Sequence, residues 1–236
     1  MPPVETTILG IPAGLWQALW LTFRLAAVTT LVLFVLGLPL AYWLNRSRSR
    51  WIPFLEALVT LPIVLPPTVI GFYLLVAFSP QHPPGSWWFA ATGSTLSFTF
   101  TGLVIGSVFY SLPFAVQPFQ AALKGVSAEL LQAGQTLGAS ALRVFFRVHL
   151  PLAQRGIAVG LTLAFAHTLG EFGVVLMIGG AIPDRTKVAS IALYDEVQKL
   201  NYAAAHAFAA VLLLTSFVLL LTMAVLQRVN SPPPNS

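Results

Sequence analysis

The sequence predicts an all-α membrane protein with five spans, in one domain covering residues 1–236. Three observations predict it. Apolar residues make up 57% of the chain and charged residues only 8%, against about 25% charged in a soluble domain. The apolar residues gather in five runs, at about 14–44, 52–78, 95–123, 156–180 and 206–226, each of the length that crosses a bilayer. Between the third and fourth runs lies the longest stretch of mixed polarity, 127–151.

The first run is longer than a bilayer core requires. It tilts, or its first turns lie in the interface, where Trp16 and Trp20 are comfortable. The 13 residues before it carry Glu5 and no Lys or Arg, which does not fit a cleaved signal peptide. Arg24 interrupts the run, and Asn45 to Arg50 is a compact basic turn. The second run contains Pro53, Pro62, Pro66 and Pro67. Prolines inside a span free backbone carbonyls and are tolerated against protein or a watery path. Residues 61–68 therefore read as a bent segment, made either for a path or for packing alone. Residues 79–94 read as an exposed loop turning at Pro83-Pro84-Gly85, with Trp87 and Trp88 as interface anchors. The third run has Pro113 and Pro118 towards its end. Residues 181–205 are more polar and partly helical, with Val188, Ile191, Tyr194 and Val197 on an apolar stripe.

The 127–151 stretch reads as two helices and a corner. Ser127 caps the first, with Glu129 in its first turn, and Gly138 stops it. Ser140 caps a second, which is expected to end near Pro151. Leu142, Phe145, Phe146 and His149 share one face of it, and Arg143 and Arg147 lie on another. Such a helix suits docking to a partner. The plainer reading is a solvated basic loop, and the flanking apolar runs argue against a DNA-binding helix-turn-helix.

Five spans place the termini on opposite sides. Putting the basic turn, the 127–151 loop and the C-terminus on one side gathers Arg46, Arg48, Arg50, Lys124, Arg143, Arg147, Arg155 and Arg228 there. Arg185, Lys187 and Lys199 fall on the other. The positive-inside rule then makes the loop cytoplasmic and the N-terminus external. Topology thus accounts for the net charge of +5, and no nucleic-acid partner is expected.

Arg24, Glu56, His167 and Glu171 fall within apolar runs, where ionisable groups are costly and face protein or water. An Arg24–Glu171 pair is expected, setting helix register. No dense cluster of polar residues is evident within the spans. With no cysteine, disulfides and thiolate chemistry are excluded. No His-Glu-x-x-His and no Gly-x-x-x-x-Gly-Lys-Ser/Thr occurs, so no metal site and no catalytic site is expected, and energy comes from a partner or an ion gradient. His167 and His206 read as packed residues, and His149 as a partner-facing or loop residue. Two classes compete: the permease subunit of an ATP-driven importer, and a secondary transporter or channel using the buried charges as an ion path. A membrane protease is a distant third. The absence of a repeated half argues against the secondary transporter.

Gln132-Ala133-Gly134, Gly138, Val148, Leu150 and Pro151 resemble the EAA loop of ABC importer permeases, with Gln for Glu, Gly for Ala and Val for Ile. The resemblance continues in Leu61 to Pro67, Ala139 to Arg147, Leu163 to Ala166, Leu169 to Gly173 and Ile182 to Thr186, and is to the molybdate importer permeases. Sulfate/thiosulfate permeases share weaker versions. The resemblance implies the type I importer (MetI-like) fold and a homodimer of permeases in the bacterial or archaeal inner membrane. It also implies two cytoplasmic ATPase subunits, which hold ATP and Mg²⁺, and an external molybdate-binding protein. No cofactor is then expected in this chain. On this reading Gln132, Ala133, Gly134, Gly138, Ala139, Ser140, Leu142, Arg143, Phe145, Phe146, Arg147 and Pro151 couple to the ATPase. Thr60, Pro66, Pro67, Thr68, Ser107, Gly170, Glu171 and Phe172 are candidates for the path or its gate. Arg185 and Lys187 are candidates for docking the binding protein.

Overall fold

The computed structural model describes residues 7–8 and 11–229, with side chains over 14–225. Arg228 in its side chain and the tail 230–236 lie outside the described residues, as does Glu5. A two-residue antiparallel ladder, β1 (Thr7–Ile8) with β2 (Ile11–Pro12), precedes the helices.

The first run is α1, Ala13–Arg46. Trp16 and Trp20 are exposed near one end, and Trp43, with Trp51 just beyond, near the other. Trp20 and Trp43 are about 34 Å apart at 1.5 Å per residue. That spacing matches two aromatic belts across a hydrocarbon core of roughly 30 Å. The helix is thus long because it projects beyond both belts.

The second run is two helices, α2 (Ile52–Val64) and α3 (Pro67–Ala77), meeting at 113°. Pro66 and Pro67 cause the break, because neither can donate to the preceding turn. The 79–94 segment is not all loop: α4 (Gly85–Thr92) occupies its second half. Trp87 on it is exposed, while Trp88 packs on the core. The third run begins later than its apolar composition suggests. Thr99 caps α5 (Phe100–Lys124), accepting from the Gly102 N–H at 3.1 Å.

The 127–151 stretch folds as α6 (Ala128–Thr136), α7 (Ala141–Val144) and a π turn (Phe145–His149) that runs directly into α8 (Leu150–Leu169). The expected stop at Pro151 is corrected. The Leu150 N–H bonds to the Phe145 carbonyl, five residues back, and this wider register leaves room for the proline ring in the first turn of α8. The fourth run is not one helix either. It ends at Leu169, breaks over 170–172, and resumes as the short α9 (Gly173–Gly179). Next come α10 (Ala189–Gln198) and the last span, α11 (Tyr202–Val229). On α10, Ile191 is buried but Tyr194 and Val197 are exposed, so the predicted stripe is buried only at its start.

Helices α1, α5 and α8 form the centre of the core, closing around Phe119, which is fully buried with Leu33, Val116 and Ala164. Small residues set how closely α5 and α8 approach. A Cβ on Gly160 would sit 2.8 Å from Phe119 Cε1, and one on Gly156 would sit 2.5 Å from Ala122 Cβ. A second cluster joins α3, α5 and α9 around Leu103, Val174 and Ile178. Helix α11 is mostly exposed, presenting Leu213, Leu214, Phe217 and Val218 outwards, as a lipid-facing span does.

Gly160→Leu is expected to force α5 and α8 apart and to destabilise the protein by about 1–3 kcal/mol, the usual cost of overpacking. The melting temperature of the purified protein in detergent measures it. An unchanged melting temperature contradicts this account of the crossing.

Candidate translocation path and coupling loop

The 127–151 loop, the candidate for coupling, is built as its caps predict. The Ser127 hydroxyl accepts from the Glu129 N–H (3.2 Å) and the Ser140 hydroxyl from the Arg143 N–H (3.4 Å). Gly138 is left-handed at φ +82°, a conformation that disfavours any side chain. Gln132, Ala133 and Gly138 are exposed, and Ala139 is half-buried. Gly134 faces Val144, and an added Cβ would come within 3.2 Å of its Cγ2. The Gly that replaces the family's Ala therefore lets α6 close onto α7.

The predicted face of the second helix is divided. Leu142, Arg143, Phe146, Arg147 and Pro151 are exposed. Phe145 turns inward instead, edge-on to Tyr42 with ring centroids 4.7 Å apart. His149 also turns inward, its Nε2 lying 2.9 Å from the Leu123 carbonyl oxygen. His149 is therefore an internal tie between the π turn and the end of α5, not a partner-facing residue. Positions four apart still share a side, Leu142 with Phe146 outward and Phe145 with His149 inward, so the face divides between the two pairs.

Helix α5 carries a stripe of Tyr110, Phe114 and Gln117 at helical spacing, each half-buried or exposed. At one end of it, a cavity of about 570 Å³ is lined by Pro67, Thr68, Tyr110, His167, Gly170, Glu171 and Phe172 among others. Towards the other end, Gln117 Nε2 donates to Thr60 Oγ1 (3.3 Å), and Gln120 Nε2 donates to Glu56 Oε1 (3.0 Å). Thr60 and Thr68 thus stand at two polar stations joined by one face of α5. Tyr110, Gln117 and Gln120 were missed in the sequence, although the 3–4 spacing of Tyr110, Phe114 and Gln117 was there to be read.

The polar residues of the spans are more clustered than expected. Ser111 Oγ lies 2.9 Å from both His167 Nδ1 and Thr168 Oγ1. Thr168 donates its own proton to the Ala164 carbonyl at 2.9 Å. Ser111 must then donate to Thr168 and accept from His167, which fixes the proton of the imidazole on Nδ1. The ring stacks on Phe114 with centroids 3.9 Å apart. His167 is packed, as expected, and it also lines the cavity.

The expected Arg24–Glu171 pair does not form. The Arg24 guanidinium lies over the Phe100 ring, 4.4 Å from its centroid. Both carboxylate oxygens of Glu171 are buried, with the Ser107 hydroxyl beside them. The side chain of Arg24 extends towards Phe100, the first residue of α5, as a long cationic side chain in a bilayer reaches for the end of a span. Ser107 is fully buried and does not line the cavity. Glu171 contributes to the cavity wall while its carboxyl faces the interior. The backbone carbonyl of Glu171 accepts from Ser190 Oγ at 2.5 Å, which ties the break to α10.

Between α9 and α10, Arg185 stands exposed in a tight loop held by the buried Thr186, whose hydroxyl bonds the Gly179 carbonyl at 2.6 Å. Lys187 differs from the expectation of a free docking cation. It is half-buried and paired with Asp195 at 2.5 Å.

A family model for the binding-protein-dependent transport system inner membrane component matches residues 33–232. The chain belongs to this family. The permease is 48% identical over 206 residues to the molybdenum transport system permease protein ModB of Azotobacter vinelandii, covering 87% of this chain and 91% of the relative. It is 35% identical over 238 residues to the sulfate transport system permease protein CysT of Escherichia coli K12, covering 95% and 86%. Its fold is that of a bacterial ABC transporter involved in the import of alginate, with a TM-score of 0.76 at 19% identity, covering 93% of this chain and 81% of that one. It is accordingly a multi-pass inner-membrane permease of the type I importer fold.

Ser111→Ala removes the group that joins His167 to Thr168 and leaves a buried donor unpaired. The expected loss is about 1–3 kcal/mol of stability, read from thermal unfolding in detergent. A variant as stable as the parent shows that the triad carries no such weight.

Proposed function

We propose that this permease forms the pore of an ATP-driven importer that moves molybdate or tungstate delivered by an external binding protein. The observation that carries the reading is the 48% identity to a molybdenum permease over 87% of the chain, against 35% for a sulfate permease. The family description supports a binding protein as donor. The likeness to an ABC transporter supports a separate ATPase, which would hold ATP and Mg²⁺. In this proposal two copies of the chain surround the path, each engaging one ATPase. The N-terminus is external and the C-terminus cytoplasmic, on the charge asymmetry of the loops.

The exposed side chains of the coupling loop, Leu142, Arg143, Phe146 and Arg147, form the surface offered to the ATPase. The stations at Thr60 and Thr68, the stripe between them and the break at 170–172 form the path and its gate. Tetrahedral dianions suit hydroxyl and backbone donors. A fixed carboxylate facing them would repel strongly at low dielectric. The inward turn of the Glu171 carboxyl removes that obstacle. Arg185 is the exposed external cation offered to the binding protein, while Lys187 braces the loop behind it.

Proteoliposomes holding the permease, its ATPase and the cognate binding protein are expected to take up labelled molybdate or tungstate with ATP, and excess sulfate is expected not to compete. Sulfate uptake that molybdate merely inhibits overturns the choice of cargo. A fluorescent protein fused after Ser236 is expected to glow and alkaline phosphatase fused there to be inactive; the reverse result inverts the topology.

Phe146→Ala is expected to weaken ATPase co-purification by about 2 kcal/mol, roughly thirtyfold in affinity, as for an anchoring aromatic at an interface. Insertion into the membrane is expected to be unaffected. Retention of a fully coupled complex refutes the assignment of this helix.

A further inference from the structure

A second cavity, of about 580 Å³, lies far from the path, between α1 and the coupling helix. Its α1 wall is a single face, Phe34, Leu38 and Tyr42, and Phe145 and Phe146 form the opposite wall. Arg46 stands at its mouth. The lining is apolar along its length and basic only at that end.

Its position in the bilayer follows from the aromatic belts. Arg46 lies about 4.5 Å beyond Trp43, at headgroup level, and Phe34 lies about 13.5 Å below Trp43, inside the hydrocarbon. The groove therefore runs from the headgroups of one leaflet down among its acyl chains. The Arg46 guanidinium is held in place, since its Nη1 donates to the Tyr42 hydroxyl at 2.7 Å. Its remaining N–H groups are a fork suited to phosphate oxygens. Arg48 and Arg50 follow on the same exposed turn, and no acidic residue lines the groove.

We infer that this groove is a binding site for an anionic phospholipid of the cytoplasmic leaflet, one acyl chain lying along α1 and the phosphate on Arg46. The inference rests on the orientation proposed above only for which leaflet supplies the lipid. Charge complementarity selects the occupant: a partner helix would fill the apolar wall but leave the guanidinium at the mouth without a counter-charge. The site has a consequence for coupling. Tyr42 and Phe145 form one wall contact, and His149 ties the same turn to the end of α5. A lipid in the groove thus braces the π turn through which the coupling helix continues into α8.

The test uses the purified permease–ATPase complex and native mass spectrometry after exchange into nanodiscs of phosphatidylcholine with phosphatidylglycerol. The parent complex is expected to retain phosphatidylglycerol in preference to phosphatidylcholine. Arg46→Gln is expected to reduce that retention about fivefold, the effect of one basic residue at an anionic surface. Val35→Trp, which fills the groove and keeps Arg46, is expected to reduce it as well. Inorganic phosphate is expected not to displace the lipid. A photo-crosslinker at Phe34 is expected to add the mass of a lipid. Equal retention by all three proteins overturns the inference. So does displacement by phosphate, loss in Arg46→Gln alone, or a crosslink from Phe34 to a second copy or to the ATPase. None of these readouts depends on which oxyanion is carried, so a wrong cargo and a wrong lipid site fail separately.

Discussion

Two broken helices lean on one another, and the cavity beside them depends on that contact. A Cβ on Gly173 would sit 2.6 Å from Pro67 Cβ, and one on Gly71 would sit 2.7 Å from Met177 Cβ. The first residues of α3 and α9 therefore meet with nothing between them. In a bilayer an irregular backbone survives only where protein or a watery cavity shields it. The break at Pro66–Pro67 and the break at 170–172 shield each other on one side. On the other side they open into the cavity bounded by Tyr110 and His167. Glycine is required here for closeness rather than for backbone freedom, since neither residue has a positive φ.

Polar groups within the spans follow the same economy. Ser111, His167 and Thr168 satisfy one another across α5 and α8, and a single chain of donors fixes the imidazole tautomer. Thr22 works in the same way between α1 and α10: it donates to the Ala18 carbonyl and accepts from the Ala189 N–H. Glu171 and Ser107 lie side by side in the interior, close to the break at 170–172.

Much of the architecture was legible because it is local. Apolar runs, belts of tryptophan, the caps at Ser127 and Ser140, the stop at Gly138 and the bend at Pro66–Pro67 all depend on residues within a few positions of one another. The family was legible for the same reason, through motifs read in order. What escaped reading is non-local or depends on register. The π turn carries the chain through Pro151, which no 3.6-residue periodicity anticipates, and Phe145 and His149 turn inward onto Tyr42 and Leu123, which are distant in sequence. The cavity draws Thr68, Tyr110 and His167 from three separate segments, so no dense polar cluster appears along the sequence. Lys187 looked free because its partner, Asp195, comes from the next helix. Arg24 and Glu171 have suitable depths, but depth along a span does not determine which way a side chain turns.

The continuity from Ala141 to Leu169 joins these observations into one mechanical element. This rod spans about 43 Å at 1.5 Å per residue. Its first turns carry the exposed Leu142 and Phe146, and its last carries His167 just before the break. Close packing of Gly156 and Gly160 against α5 holds its middle. The π turn is the one place where its hydrogen-bond register changes, and Tyr42 and His149 bind that place to α1 and α5. A helix that were to stop at Pro151, as the proline alone suggests, would leave the loop hinged and the break out of its reach. The proline is accommodated instead, and the loop and the break remain ends of the same helix.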